Sequence, residues 1–99
     1  MQQLLDGLMI ARYVVHGVVQ GVGYRAYVKS CALRHGIRGT VQNQQDGSVL
    51  IVAQAQKDSL EAFERSIDVS TLHGVQVMNI EKSYDSHAIG EFEDFRIVK

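Results

Sequence analysis

The most constraining stretch of the sequence is GVVQGVGYR, which spans residues 17–25. It follows an apolar alternating run and precedes a segment whose apolar residues have helical spacing. Because Gly17, Gly21 and Gly23 lack β-carbons, the backbone between strand and helix can curl and direct successive N–H groups at one point. The first N–H groups of a helix have no intrahelical partners and lie at the positive end of its dipole. The stretch therefore predicts an anion site, and above all a phosphate site.

Arg25 falls in the first turn of the predicted helix, where its planar guanidinium can bind phosphate oxygens. A cation at the positive end of a helix dipole is mildly unfavourable on its own, and a bound anion would remove that penalty. Two structural alternatives stay open: the glycines only shape the turn, and Arg25 is a solvated side chain. Residues 21–26 also fit a loose dinucleotide-binding pattern. However, 99 residues leave no room for the doubly wound sheet that such a site needs.

A second motif lies further along the chain, where residues 39–43 read GTVQN and residues 46–49 read DGSV. Together with GVVQGVGYR and the ending FRIVK at residues 95–99, these motifs resemble the acylphosphatase family. The resemblance covers roughly residues 11–99 in order. It implies a small metal-independent hydrolase, without a cofactor, that cleaves the carboxyl–phosphate bond of acyl phosphates. Inorganic phosphate would be both product and competitive inhibitor.

Hydrolysis of an acyl phosphate needs little general-acid help because a carboxylate leaves readily. It requires a bound phosphoryl group, compensation of its charge and a water placed in line. The resemblance assigns the catalytic roles to Arg25, which would bind the phosphoryl group, and to Asn43, which would orient the water. The other interpretation of Asn43 is a turn residue that caps a hairpin. The expected phosphate-binding residues are Gly17, Val18, Val19, Gln20, Gly21, Val22, Gly23 and Arg25. Since neither GVVQGVGYR nor GTVQN contains Ser, Cys or Asp, direct attack by water is expected.

Three positions depart from the family pattern. Val18 stands where a basic residue is frequent, which weakens the local positive field. Thr40 replaces a frequent tryptophan, which concerns packing more than chemistry. Gln44 stands where many members have threonine or a small or apolar residue, which leaves the support of Asn43 open.

The patterns of the chain predict a ferredoxin-like α/β (α+β) sandwich of βαββαβ order, an antiparallel sheet with two helices on one face. Residues 1–10 form an N-terminal extension, a short helix or a disordered tail, and residues 11–99 form one domain. A helix beginning at Asp58 would be capped reciprocally by Glu61. The expected elements are strands near 11–17, 38–44 and 48–53, helices near 24–35 and from 58, a strand on Val77, Ile80 and Tyr84, and a last strand with Phe95 and Ile97.

Alternation on the third strand places Val49, Ile51 and Ala53 towards the helices. Leu50 and Val52 then face the open side of the sheet, together with Val14. An apolar open face tends to be covered. We expect it to be covered by the extension, through Leu4, Leu5 and Leu8, or by a second subunit, so the protein would be a monomer or a weak homodimer.

Charge and composition exclude several classes of function. A net charge of −1 and a pI near 6.4 argue against a nucleic-acid partner. The third strand, SVLIVA, lacks the aromatic and basic residues of RNA-binding modules of this topology. No metal-ligand spacing, secretory signal or apolar run of about 20 residues is present, so no metal, membrane or export is expected. The single cysteine, Cys31, suits a reducing compartment, which predicts a cytoplasmic protein. A noncatalytic phosphate or acyl-phosphate binding module, a small-molecule regulatory domain and a domain for protein contacts remain the alternatives to an enzyme.

Overall fold

The computed structural model describes residues 7–70, 72–85 and 92–99. In these ranges the elements follow the order β-α-β-β-α-β-β. Their bounds are β1 Leu8–Val18, α1 Tyr24–Arg34, β2 Arg38–Asn43, β3 Val49–Gln56, α2 Lys57–Ile67, β4 Gln76–Asp85 and β5 Phe95–Val98. Neither described helix has the length or the apolar character needed to cross a bilayer.

The five described strands form one sheet in the order β4-β1-β3-β2-β5. The pairs β4–β1, β1–β3 and β3–β2 are antiparallel, which is the predicted ferredoxin-like arrangement. β5 adds to the free edge of β2 in parallel, from Gly39 opposite Phe95 to Gln42 opposite Val98. The predicted fold class is confirmed, and the sheet as a whole is mixed because of this last strand.

The core lies between one face of the sheet and the two helices, as the alternation predicted. Tyr13 and Val15 of β1 are fully buried, whereas Val14 and His16 between them are partly exposed. The inward residues of β3 are also fully buried, namely Val49, Ile51 and Ala53. The helices contribute buried residues at helical spacing, namely Tyr24, Val28, Cys31 and Ala32 from α1, and Leu60, Phe63 and Ile67 from α2.

β1 begins at Leu8, earlier than predicted. Leu8, Met9 and Ile10 pair with Gln56, Ala55 and Gln54 of β3, so they are part of the sheet and not of a separate extension. Leu8 shares the open face of the strand with Ile10 and Val14, because side chains alternate along a strand. It belongs to the surface that it was expected to cover. Leu4 and Leu5 lie outside the described residues.

The predicted start of α2 is wrong. The helix begins at Lys57 with Gln56 as its N-cap, and no side chain caps it by a hydrogen bond. The physical reason is the length of β3, which continues to Gln56 because the early residues of β1 pair with it. Asp58 is therefore inside the first helical turn, where its charge still complements the helix dipole.

Candidate active site

The loop between β1 and α1 depends on glycine for two separate reasons. Gly17 has φ 136°, and a β-carbon there would collide with the carbonyl oxygen of Gln76 on β4. Gly21 and Gly23 lie in open space, but their φ values of 73° and 82° are ones that other residues rarely adopt. The path of this predicted anion loop therefore needs its glycines, at Gly17 for close strand approach and at the other two for backbone conformation.

The N-terminus of α1 has no compensating negative charge of its own. Its N-cap is Gly23, which has no side chain to accept from the first N–H groups, and the first turn contains no acidic residue. The first helical bond runs from the Tyr27 N–H to the Gly23 carbonyl oxygen, at 3.1 Å. A cavity of about 180 Å³ lies at this end of the helix. It is lined by Val19, Gly21, Gly23, Tyr24, Arg25, Ala26 and Ile97. Loop, helix terminus and arginine thus border one cavity that suits an anion.

Arg25 is half-buried at this cavity, and no acidic side chain of the described residues pairs with it. Its Nη1 donates a long hydrogen bond of 3.4 Å to the carbonyl oxygen of Val98 on β5. Among the described residues the ion pairs are His16–Glu81, Lys82–Glu64 and Arg96–Asp94, so no carboxylate neutralises Arg25. The guanidinium keeps donors available for a ligand, as a phosphate-binding arginine requires.

Asn43 is the last residue of β2 and pairs with Val49. Its Oδ1 atom is buried and has no hydrogen-bond partner within the described ranges. Most buried polar atoms in proteins are hydrogen-bonded, so an orphaned acceptor calls for a partner that the chain does not supply. A bound water or ligand would satisfy it.

The hairpin turn after Asn43 is closed by other residues. The Asp46 carboxylate accepts from the Ser48 N–H at 2.9 Å and from the Ser48 hydroxyl at 2.5 Å. These bonds hold the pKa of Asp46 below its usual range. The Gln44 N–H donates to the Ser48 carbonyl oxygen at 2.9 Å, and the Ser48 hydroxyl also approaches Gln44 Oε1. The predicted turn at Asp46 and Gly47 is present, and it does not use the Asn43 side chain as a cap.

Gln20 has a contact that sequence reasoning missed. It was predicted only as part of the anion loop, yet its side-chain amide donates to the carbonyl oxygens of Gln44 and Ser48, both at 2.8 Å. The amide thereby joins the loop to the hairpin that carries Asn43. The signal in the sequence was slight, a long polar side chain between a valine and a glycine, and its partners are more than 20 residues away.

The side chains of the remaining loop residues diverge. Val18 is 49% exposed, whereas Val19 is 1% exposed and belongs to the core. Val22 is partly buried and packs against that core. Any contact of these apolar residues with an anion would therefore use their backbone N–H groups.

The histidine beside the loop has a surface position. His16 Nε2 lies 2.6 Å from Glu81 Oε2 on the open face of the sheet, the face that His16 shares with Val14 because side chains alternate along β1. Throughout the described part of the chain, no group of three or more His, Cys, Asp and Glu side chains could hold a metal ion.

The fold and the site define an α/β sandwich with a cavity at the N-terminus of its first helix. The sequence profile of the acylphosphatase family matches residues 11–97, and the chain belongs to that family. The acylphosphatase of Paenarthrobacter aurescens is 38% identical over 84 residues, which is 85% of this chain and 87% of that one. The crystal structure of the Bacillus subtilis acylphosphatase superposes with a TM-score of 0.85 at 28% identity, over 92% of this chain and 99% of that chain. An acylphosphatase structure from Coxiella burnetii has a TM-score of 0.86 at 26% identity, over 99% and 100% of the two chains. The resemblance carried by GVVQGVGYR and GTVQN is confirmed.

Proposed function

We propose that this chain is an acylphosphatase, a hydrolase that converts acyl phosphates to a carboxylate and inorganic phosphate without a metal or cofactor. Membership of the family and the similarity to relatives that carry this name support the activity. The observation that carries the proposed site is the buried, unpartnered Oδ1 of Asn43, on a hairpin joined to the anion loop by Gln20. A site for phosphate alone would not need that acceptor.

The phosphoryl group would be bound by the loop and Arg25. The backbone N–H groups from Gly17 to Gly23 and the start of α1 would donate to its oxygens, where the helix dipole favours negative charge. Arg25 would add a planar pair of donors, because no carboxylate of the described chain occupies its guanidinium. Together these groups would stabilise the charge that spreads over the phosphoryl oxygens in the transition state.

Asn43 would orient the attacking water through Oδ1. The water oxygen would attack phosphorus in line with the acyl oxygen, the phosphorus–acyl oxygen bond would break, and the carboxylate would leave with the bonding electron pair. The water proton would pass to phosphate or solvent, since we propose no residue of the described chain as a general base. Asn43 suits the task because its amide cannot titrate and its free acceptor can fix one hydrogen of the water.

Hydrolysis of benzoyl phosphate with excess chelator tests the proposal. Turnover under these conditions supports a metal-independent acylphosphatase, with inorganic phosphate as a competitive inhibitor. Binding of phosphate without turnover would instead define a noncatalytic module. Absence of both would reduce the loop to a structural feature of a domain for protein contacts.

The proposed partner is a small-molecule acyl phosphate, and the proposed location is the cytoplasm. The fully buried free thiol of Cys31 suits that reducing compartment. No nucleic acid or membrane is proposed as a partner. A monomer or weak homodimer is the proposed state, since the apolar open face of the sheet is expected to be covered by the N-terminal residues or by a second subunit. Sedimentation at several protein concentrations measures that state.

A further inference from the structure

The two parts of the proposed site are carried by different units of the fold. The loop and Arg25 follow β1, whereas Asn43 ends β2 beside the hairpin turn. The pairing of β1 with β3 ends at Val15 opposite Val49. Beyond that point the last residues of β1 pair with β4, on the other side of the strand. The sheet therefore does not by itself fix the distance between the loop and the hairpin.

The Gln20 side chain spans this gap. Its amide nitrogen donates both of its hydrogens, one to the Gln44 carbonyl oxygen and one to the Ser48 carbonyl oxygen, at 2.8 Å each. Gln44 is bonded directly to Asn43 in the chain, and Ser48 precedes Val49, the strand partner of Asn43. Both acceptors are thus next to the residue pair that places the Asn43 side chain.

The hairpin does not need Gln20 to satisfy its own backbone. The Gln44 carbonyl oxygen also accepts from the Gly47 N–H at 3.2 Å, and the Ser48 carbonyl oxygen also accepts from the Gln44 N–H at 2.9 Å. Each oxygen would keep one hydrogen bond if the Gln20 amide were removed. The turn would also keep its Asp46 contacts with Ser48. Loss of the amide should therefore loosen the position of the hairpin relative to the loop without unfolding the hairpin.

We propose that Gln20 is a positioning residue, which sets the Asn43 side chain at the distance from the bound phosphoryl group that an in-line water requires. This inference rests on the proposed function. Displacement of a positioning group by about 1 Å can reduce turnover on the order of 10²-fold. Gln20 has no part in holding phosphate through its side chain, since its amide hydrogens are both used by the hairpin.

The test compares Gln20→Met, which keeps the length of the side chain and removes its donors, with Gln45→Met. Gln45 is an exposed residue of the same turn and serves as the matched control. With benzoyl phosphate, Gln20→Met should lower kcat by roughly tenfold or more. The inhibition constant of inorganic phosphate should stay within about twofold, because the loop and Arg25 remain. Gln45→Met should match the unsubstituted protein in both measurements.

A double-mutant cycle with Asn43→Ala separates positioning from general support. If Gln20 acts through Asn43, Gln20→Met should cost less than about twofold in kcat when Asn43 is already alanine. Equal losses in both backgrounds, a parallel loss of phosphate affinity, or an unchanged kcat would each overturn the inference. Gln20→Ala, which also lacks the donors and adds no charge to the loop, serves if Gln20→Met is unfolded. Unfolding of both would make Gln20 a structural residue and refute the proposal. Turnover by the unsubstituted protein tests the proposed function separately.

Discussion

Asn43 pairs with Val49 at the closing end of the β2–β3 hairpin, where its Oδ1 atom is buried without a partner. The turn that follows is held by Asp46 and Ser48, so the hairpin does not account for the orientation of this side chain. A buried acceptor without a partner costs stability on the order of 1–3 kcal/mol. Retention of such a group beside the hairpin turn favours a functional role for Asn43 over a structural one.

Asn43→Ala should therefore lower kcat heavily without weakening the fold. Loss of a positioning contact typically costs on the order of 10²-fold or more in turnover. The free energy of unfolding should be no lower than that of the unsubstituted protein, because truncation removes a buried unsatisfied acceptor and leaves no partner unsatisfied. Steady-state kinetics, phosphate inhibition and urea unfolding measure these quantities. A near-normal kcat would show that another group orients the attacking water. An unfolded variant would instead favour the interpretation of Asn43 as a hairpin cap.

Arg25 should behave differently, because it is proposed to contact phosphate in both the substrate and the transition state. Arg25→Gln should weaken inhibition by inorganic phosphate as well as turnover. Arg25→Lys should also be poorly tolerated, since a point charge cannot replace a planar pair of donors at two oxygens. Arg96→Gln on β5 is the control, because Arg96 is exposed and pairs with Asp94. Unchanged phosphate inhibition in Arg25→Gln would remove Arg25 from the phosphate site.

Local patterns predicted much of the fold because side-chain periodicity is a local property. Alternation along β1 and β3 placed Tyr13 and Ile51 in the core, and helical spacing placed Val28 there. The end of α1 near residue 35 was also predicted. In the structure Gly36 follows the helix with φ 67°, and the Ile37 N–H donates to the Ala32 carbonyl oxygen at 2.8 Å.

What the sequence did not predict depends on partners far along the chain. β5 could have joined either edge of the sheet. No pattern in residues 95–98 predicts that this strand pairs in parallel with β2. β1 starts at Leu8 because its first residues pair with a β3 that continues to Gln56. Because β3 is this long, the N-cap of α2 is Gln56 and not the predicted Asp58. The Gln20 contacts have the same origin, because no local pattern identifies Gln44 and Ser48 as its acceptors.

The proposed site predicts the pH dependence of turnover, because neither proposed catalytic residue changes its charge near neutral pH. Asn43 does not ionise and arginine stays protonated throughout the ordinary range. Apart from changes in substrate ionisation, kcat should be nearly flat from about pH 5 to 8. His16 is the control position, because it pairs with Glu81 on the open face of the sheet. A bell-shaped profile near neutrality that His16→Gln abolishes would contradict the proposed water mechanism.

Asp46 should make the hairpin sensitive to acid. Its hydrogen bonds from Ser48 lower its pKa in the folded state, so its contribution is fully present above the unfolded value of about 3.9 and is lost as pH falls through the lower folded value. Asp46→Asn should therefore show a shallower loss of thermal stability below about pH 4 than the unsubstituted protein. The effect is small because the side chain is exposed to solvent. Identical acid profiles for the two proteins would contradict this assignment.

A polar cluster on the helix side of the sheet should affect stability and not turnover. The hydroxyls of Tyr13 and Tyr84 both donate to Glu64 Oε2 at 2.7 Å, and Lys82 Nζ lies 3.4 Å from Glu64 Oε1. Tyr13 is fully buried, whereas Tyr84 is 50% exposed. Burial and the neighbouring Glu64 raise the pKa of Tyr84 to about 12, above an ordinary value near 10. Both phenols are therefore neutral donors at pH 7.

Phenylalanine at each position separates the buried hydrogen bond from the exposed one. Tyr13→Phe should lower the free energy of unfolding by about 1.5–3 kcal/mol, the usual range for a hydrogen bond to a charged group. Tyr84→Phe removes a bond to the same oxygen, but water can replace its hydroxyl, so the loss should be smaller. Both variants should keep kcat within about twofold, because neither tyrosine lines the cavity beside Arg25. Urea unfolding and benzoyl phosphate hydrolysis measure the two effects. Equal losses of stability would show that burial does not set the strength of these bonds, and a large fall in kcat would connect the cluster to the site.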